Sequence, residues 1–338
     1  MLTKDDLHTY DLSKMYAVYD DWPNIARTTY AKNSNKIDLK PTNHIVFAGM
    51  GGSGIIGDFF SAVLSKTNIH TNVVKGYTLP NSTNSDSLVI PISVSGNSAE
   101  TISILKSAHD IGCQIMAFSS GGYVEKFCKD NDILHSKITM VHSPRSSFVS
   151  YIYEMIQLLS NIIPISKTSI EESLIELDSL SKIINSENLT SSNPSLQLAE
   201  KMSRIPLIYY PWGLFPSAVR FKNSIQENVK IHAMIEDVIE ACHNNIVSWE
   251  HQSSVFPIIL QGDDDNIKTK ERWKILKEYF EINNIDYHQV YSVKGSIFSK
   301  LINLIYLLDY SSIYLAVKNK TDPSPVKSID FVKNRLEN

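Results

Sequence analysis

The hydrophobic pattern divides the chain into two similar runs, in each of which short apolar stretches alternate with longer amphipathic ones. In the first run, the mainly apolar residues 44–48 end in a glycine-rich turn that opens into a helical pattern over 54–64. Strand-like stretches at 71–74 and 87–92 follow, then a helix over 99–111, a strand at 114–119, a helix over 123–129 and a strand at 138–141. The second run begins with a strand at 206–210 and continues with helices over 216–230 and 233–242, a strand at 256–261, a helix over 269–280 and a strand at 287–293. A long apolar helix over 297–317 and an amphipathic one over 326–336 finish it. Between the runs, the apolar residues 148–163 predict a buried helix closing the first unit, and the polar stretch 166–200 carries Leu and Ile at helical spacing across 170–184. Residues 1–40 read as short helices, broken or capped at Asp20-Asp21-Trp22-Pro23. Strands alternating with helices in this way predict an α/β chain of two doubly wound parallel-sheet domains, at 1–165 and 196–338, with a helical crossing at 166–195.

Composition narrows the partners. The 338 residues are 43% hydrophobic and 20% charged, which is globular and leaves room for two cores. A net charge of -4 offers no basic field to nucleic acid or an anionic membrane, so a small molecule is the expected partner. Cys113, Cys128 and Cys242 are odd in number and far apart, which argues against a disulfide framework and a CxxC metal site and fits a reducing cytoplasm. The first residues lack an apolar signal core, and no uninterrupted apolar run reaches the ~20 residues that span a bilayer. A cytoplasmic protein, neither exported nor embedded, is the expectation. None of the 10 histidines falls in an HxH or HExxH pattern, so neither a metal nor a cofactor is expected.

The candidate chemistry starts at Gly49-Met50-Gly51-Gly52-Ser53-Gly54, where a strand turns into a helix. Glycines there let main-chain N–H groups at the helix N-terminus face an anion without Cβ atoms in the way. The spacing matches the dinucleotide fingerprint, which also needs an acid at the end of the second strand. Here that strand runs into Lys75-Gly76-Tyr77, and the nicotinamide reading loses its ribose contact. A phosphate loop of the Gly-Lys-Ser/Thr kind is absent as well. The second loop is Ser93-Val94-Ser95-Gly96-Asn97-Ser98-Ala99-Glu100-Thr101, again between strand and helix. Hydroxyls at Ser93, Ser95 and Ser98 around a glycine can hold a phosphate monoester as a handle without lysine or Mg²⁺. Asn97 and Glu100 also fit a capping box with incidental serines. Two loops converging at the carboxyl ends of neighbouring strands, where α/β proteins bind ligands, favour the phosphate reading.

These two loops resemble the sugar-isomerase (SIS) domain. From about residue 40 onward the chain is similar to the bifunctional phosphoglucose/phosphomannose isomerases, which are built of two such domains. Further stretches carry the likeness: Pro144-Arg145, Phe221-Lys222-Asn223-Ser224-Ile225-Gln226-Glu227-Asn228, His243-Asn244-Asn245-Ile246-Val247, and Asp322-Pro323-Ser324-Pro325-Val326 with Ile329, Val332 and Lys333. The resemblance implies SIS-type, flavodoxin-like domains, and a metal-independent, cofactor-free interconversion of glucose 6-phosphate and mannose 6-phosphate with fructose 6-phosphate through a cis-enediol. It implies that Gly52, Ser53, Ser93, Ser95 and Ser98 bind the phosphate, that Glu227 is the base, that Arg145 lies beside the reacting carbons and that His243 and Lys333 act at the sugar ring. It also implies a homodimer in which His243 comes from the neighbouring subunit. Two departures stand out. Ser98 replaces a threonine and keeps the hydroxyl. Val326 stands where relatives carry a threonine beside C1 and C2, which weighs against mannose 6-phosphate relative to glucose 6-phosphate.

Taken singly, these residues are less specific. Glu227 lies amid the amides Asn223, Gln226 and Asn228 rather than in a ladder of salt bridges, which suits a base shuttling a proton between C2 and C1, but a lone helical glutamate is ordinarily solvated. His243 at the end of the 233–242 helix reads equally as a helix cap, Lys333 as a solvated neighbour of Lys327 and Arg335, and Arg145 as a surface ion pair. The alternatives are a non-catalytic sugar-phosphate sensor of the same fold, with no use for Glu227 and His243 together, and a nicotinamide oxidoreductase, disfavoured by Lys75-Gly76.

Overall fold

A computed structural model gives the protein's structure over residues 2–32 and 37–336. Three short helices lead, α1 (Lys4–Tyr10), α2 (Met15–Asp20) and α3 (Trp22–Tyr30). The first sheet and its helices follow as β1 (His44–Ala48), α4 (Gly52–Leu64), β2 (His70–Val74), β3 (Leu88–Ser93), α5 (Ala99–Ile111), β4 (Gln114–Ser119), α6 (Gly122–Asp130), β5 (Leu134–Lys137) and α7 (Phe148–Leu158). All pairings are parallel in the order β2-β1-β3-β4-β5. The central strands β1 and β3 are buried almost throughout instead of alternating, because helices cover both faces.

Helices α8 (Lys167–Ile184) and α9 (Pro194–Lys201) lead to the second sheet, made of β6 (Ile205–Tyr210), β7 (Met234–Asp237), β8 (Val255–Gln261) and β9 (His288–Tyr291). Its order, β7-β6-β8-β9, repeats that of the first sheet without a fifth strand. Around it lie α10 (Phe215–Ser224), α11 (Val238–Ala241), α12 (Ile267–Ile282), α13 (Ile297–Lys318) and α14 (Lys327–Leu336). The two sheets, flanked by helices, are the doubly wound pair that the pattern predicts.

One core joins them. The inner faces of both sheets share a single apolar cluster that runs from Ile45 and Ile90 through Phe148 to Ile258 and Leu308, while smaller clusters sit under the outer helices of each sheet. At its centre is α13, packed on α8, α9 and α10 and touching α2 and α4. It is long and apolar enough to cross a membrane, yet its apolar stretch is wholly buried inside the fold. Burying a Leu or Ile side chain is worth about 1.5–3 kcal/mol, so this helix ties the two halves together.

Three local expectations are corrected. The last strand of the first sheet is Leu134–Lys137, not 138–141; Ile138 N–H still reaches the Ser119 carbonyl (2.8 Å), and His142 at φ +60° then turns the chain away. The helix expected over 233–242 is instead strand β7 followed by one turn of helix that Asp237 caps, because pairing with Leu207–Tyr210 overrides a weak helical pattern. The helix expected over 216–230 stops at Ser224 and widens into a π-turn at Ile225–Val229, closed by Lys230 at φ +65°.

Candidate active site

Strands β1 and β3 are neighbours at the point where the strand order reverses, and their carboxyl ends carry the two loops. With Ala48 paired to Pro91, the Gly49 turn lies against the Ser93 loop so closely that a Cβ on Gly49 would sit 2.8 Å from the Ile92 carbonyl oxygen. Gly96, at φ +73°, crosses so near Gly121 that a Cβ would fall 1.8 Å from its carbonyl oxygen. Only glycine fits there. The serine loop is pre-shaped: Ser93 Oγ accepts from Gly96 N–H (3.1 Å) and donates to Ser98 Oγ (3.1 Å), and Ser95 Oγ accepts from Asn97 N–H (3.3 Å). Ser53 Oγ accepts from Val94 N–H (3.4 Å), which links the two loops. Asn97 accepts from Tyr123 N–H (2.9 Å), and Ser98 occupies the cap position of α5, so the capping-box alternative is not what forms. Lys75, standing where a dinucleotide site needs an acid, ion-pairs with Asp58 of α4 at 2.5 Å.

The seam between the two halves holds a cavity of about 820 Å³. Gly51, Glu227, Lys230, His232, Asp322 and Val326 are on its wall. Glu227 comes from the π-turn, whose extra residue per turn re-aims the side chain into the cavity. Arg145 comes from the first half, in the turn before α7 rather than at a strand end. Its buried guanidinium donates through Nη1 to Glu227 Oε2 (3.3 Å), through Nε to Asn228 Oδ1 (2.8 Å) and through Nη2 to the carbonyls of Pro323 (2.6 Å) and Ser324 (2.9 Å). Glu227 is therefore ion-paired, contrary to the expectation of a carboxylate surrounded only by amides. Behind it, Asn228 donates to Ser312 Oγ (2.8 Å), which anchors the π-turn to α13. Lys230 Nζ donates to the carbonyls of Glu227 and, at 3.2 Å, of Pro323. Burial and the neighbouring Arg145 guanidinium push its ammonium down to about 8.

Gly52, Ser53, Arg145 and Glu227 are thus gathered at one seam: a Cβ on Gly52 would lie 3.8 Å from Arg145 Cα. Of the expected site residues Glu227 alone is on the cavity wall; Gly52, Ser53 and Arg145 lie beside it, while Ser93, Ser95, Ser98, His243 and Lys333 are off it. His243 is exposed after the short helix α11, its N–H donating to the Glu240 carbonyl (2.9 Å), and Lys333 is exposed on α14 beyond the turn that lines the cavity. Sequence reasoning missed Lys230 and His232 on the wall and the buried Arg220–Asp309 pair behind it. For the pair there was a signal. Asp309 is the sole charged residue between Lys300 and Lys318 in an apolar helix, and a buried carboxylate requires a partner.

A family model described as "Bacterial phospho-glucose isomerase C-terminal SIS domain" matches residues 191–336, and one described as "SIS domain" matches residues 38–147. The bifunctional phosphoglucose/phosphomannose isomerase of Caldicellulosiruptor bescii is 32% identical over 314 residues, covering 90% of this chain and 92% of the relative. The chain belongs to the bifunctional phosphoglucose/phosphomannose isomerase family. Another family member, the bifunctional phosphoglucose/phosphomannose isomerase of Aquifex aeolicus, is 30% identical over 324 residues, with 94% of each chain covered. Among solved structures, a hypothetical protein from Thermus thermophilus superposes with a TM-score of 0.76 over 99% of this chain and 92% of its own, at 11% identity, a likeness of fold. The two-SIS-domain architecture of the phosphoglucose/phosphomannose isomerases is therefore that of this chain, and the cavity described above lies between its two SIS domains.

Proposed function

We propose that this chain is an aldose–ketose isomerase that interconverts glucose 6-phosphate, and mannose 6-phosphate, with fructose 6-phosphate through a cis-enediol, without a metal ion in the step. The observation that carries the proposal is the Arg145–Glu227 contact of 3.3 Å, set in the same seam as the glycine turn. The isomerase names of the relatives, at up to 32% identity over most of the chain, support the substrate class.

The phosphate rests on the N-terminus of α4 and the serine loop, held by Gly52, Ser53, Ser93, Ser95 and Ser98, where amides and hydroxyls donate to it without a counter-ion. The sugar then runs across the seam toward Glu227. Its carboxylate, 25% exposed and so able to exchange its proton with water while the enediol is bound, removes the proton from C2 and delivers one to C1, a transfer for which one carboxylate suffices. Arg145 uses four of its five N–H groups on Glu227, Asn228, Pro323 and Ser324, which leaves one on Nη1 for the enediolate oxygen. The charge a metal ion would supply comes from Arg145 and Lys230. Among the described residues no group of three or more His, Cys, Asp or Glu could hold a metal ion.

Opening the ring falls to His243 and Lys333. Because His243 is exposed and off the cavity wall, it acts from a second copy across a homodimer interface. The exposed apolar residues Phe331 (58%), Val332 (54%) and Leu336 (66%) of α14 support such an interface.

A coupled assay of the purified protein in EDTA on both aldose phosphates tests the proposal. Turnover that survives EDTA is expected. A protein that binds fructose 6-phosphate without turning it over would be a sugar-phosphate sensor.

A further inference from the structure

The turn that presents Arg145 is neither helix nor strand, and two consecutive carbonyls in it are captured by buried donors from distant parts of the chain. The Arg145 carbonyl accepts from Arg220 Nη2 (2.5 Å), and the Ser146 carbonyl accepts from Trp22 Nε1 (3.0 Å). Trp22 belongs to the leading helices, Arg220 to α10 in the second half.

Arg220 is 2% exposed. Its charge is met by Asp309 on α13, with Nε at 3.2 and 3.0 Å from the two carboxylate oxygens and Nη2 at 2.7 Å from Oδ2. Asp309 is itself completed by Ser224 Oγ (2.7 Å) and Tyr19 OH (3.1 Å), and the guanidinium lies over the Phe148 ring at 4.7 Å. The remaining nitrogen, Nη1, makes no hydrogen bond among the described residues and lies 3.7 Å from where a Cβ on Gly52 would be. One guanidinium therefore touches the main chain of Arg145 on one side and faces the glycine turn on the other.

A buried ion pair is a poor source of stability, since desolvation consumes much of the Coulombic gain and an apolar pair of the same volume often does as well. What this pair gives instead is a fixed position. The Arg145 side chain must cross from the first half to the π-turn of the second, and an error of about 1 Å there is enough to lower a rate by ~10²-fold.

We propose that Arg220 and Asp309 are positioning residues: together they hold, across the two halves, the main chain from which Arg145 reaches Glu227. The inference rests on the isomerase reading for its kinetic readout and on geometry alone for its structural one. The test is the double variant Arg220→Met/Asp309→Leu in the full chain, which replaces the pair by apolar side chains and keeps no unpaired charge. Expected are a folded protein, a KM for fructose 6-phosphate within about twofold of wild type, and a kcat per folded molecule lower by roughly 10- to 100-fold. A crystal structure is expected to show the Arg145–Glu227 contact lengthened from 3.3 Å by about 1 Å or more. Arg220→Lys keeps the charge balance but cannot serve Asp309 and the Arg145 carbonyl in one plane; it is expected to show the same kinetic pattern and serves alone if the double variant does not fold. A variant that folds with wild-type kcat and an unmoved Arg145 would overturn the proposal. If the wild type has no isomerase turnover, the functional reading fails, and the Arg145–Glu227 separation in the variant still decides the positioning role.

Discussion

Replacing Arg145 by lysine separates the geometry of the guanidinium from its charge. In the native site the planar group serves Asn228 at 2.8 Å, Glu227 at 3.3 Å and the carbonyls of Pro323 and Ser324 at 2.6 and 2.9 Å. An ammonium has three donors on a flexible stem and cannot meet four acceptors laid out in a plane. With the residue only 5% exposed, water does not fill the gap. Orphaning one or two buried acceptors at about 1–3 kcal/mol each gives a loss of roughly 3 kcal/mol. For a chain of 338 residues unfolding as one unit, with about 2.1 cal/mol/K of unfolding entropy per residue, that lowers the melting temperature by roughly 4 °C. The kinetic effect is larger: losing one preorganised donor at a developing oxyanion costs ~10²–10³-fold in kcat. Calorimetry and a coupled isomerase assay read the two effects separately. An unchanged melting temperature with unchanged kcat would refute the reasoning. A lower melting temperature with intact kcat would leave Arg145 a clamp between the halves with no part in the chemistry.

Other outcomes follow from the same geometry. Ser93→Ala removes the hydroxyl that shapes the serine loop through Gly96 and Ser98, and KM for either aldose phosphate is expected to rise by about tenfold while kcat changes less, in keeping with a lost handle contact of about 1–1.5 kcal/mol. Lys230, pushed down to about 8, faces Arg145, Asp322 and Glu227; as pH rises through about 8 it loses its charge, and kcat/KM for the sugar phosphates is expected to fall in a limb that Lys230→Met abolishes. The unfolded chain keeps that proton up to the ordinary 10.5, so the same group makes stability rise between about 8 and 10.5, a slope that urea titration of the wild type and Lys230→Met would reveal. Val326→Thr adds a hydroxyl to the cavity wall and is expected to raise kcat/KM for mannose 6-phosphate relative to glucose 6-phosphate by up to about tenfold, one hydrogen bond's worth, measured by competing the two substrates.

Much of the first half was legible because its strands are near-continuous apolar runs bounded by glycine and serine loops, so β1, β3 and β4 lie within about a residue of their expected places. Of the four edge strands, β2 and β9 lie close to the expected 71–74 and 287–293, but β5 and β7 were not legible. In β5 and β7, Leu134–Lys137 and Met234–Asp237 are short and half-buried, and they are strands only because a neighbouring strand supplies the pairing. In the site, the two glycine and serine loops were readable because their residue types and spacing at a strand end fix the turns they form. The Arg145–Glu227 contact was not, since it joins positions 82 residues apart and depends on a π-turn that a helical pattern does not announce. Lys230 and His232 had no pattern at all, being placed by the chain's exit from that turn.

The most direct test of the account is isomerisation of fructose 6-phosphate in D₂O by the wild type beside Glu227→Gln. The account predicts that the wild type delivers aldose phosphate carrying solvent deuterium at C2. The variant is predicted to bind the sugar phosphate as before while kcat and deuterium uptake fall together by at least ~100-fold, the usual contribution of a positioned base. A variant that isomerises and exchanges at the wild-type rate would contradict it.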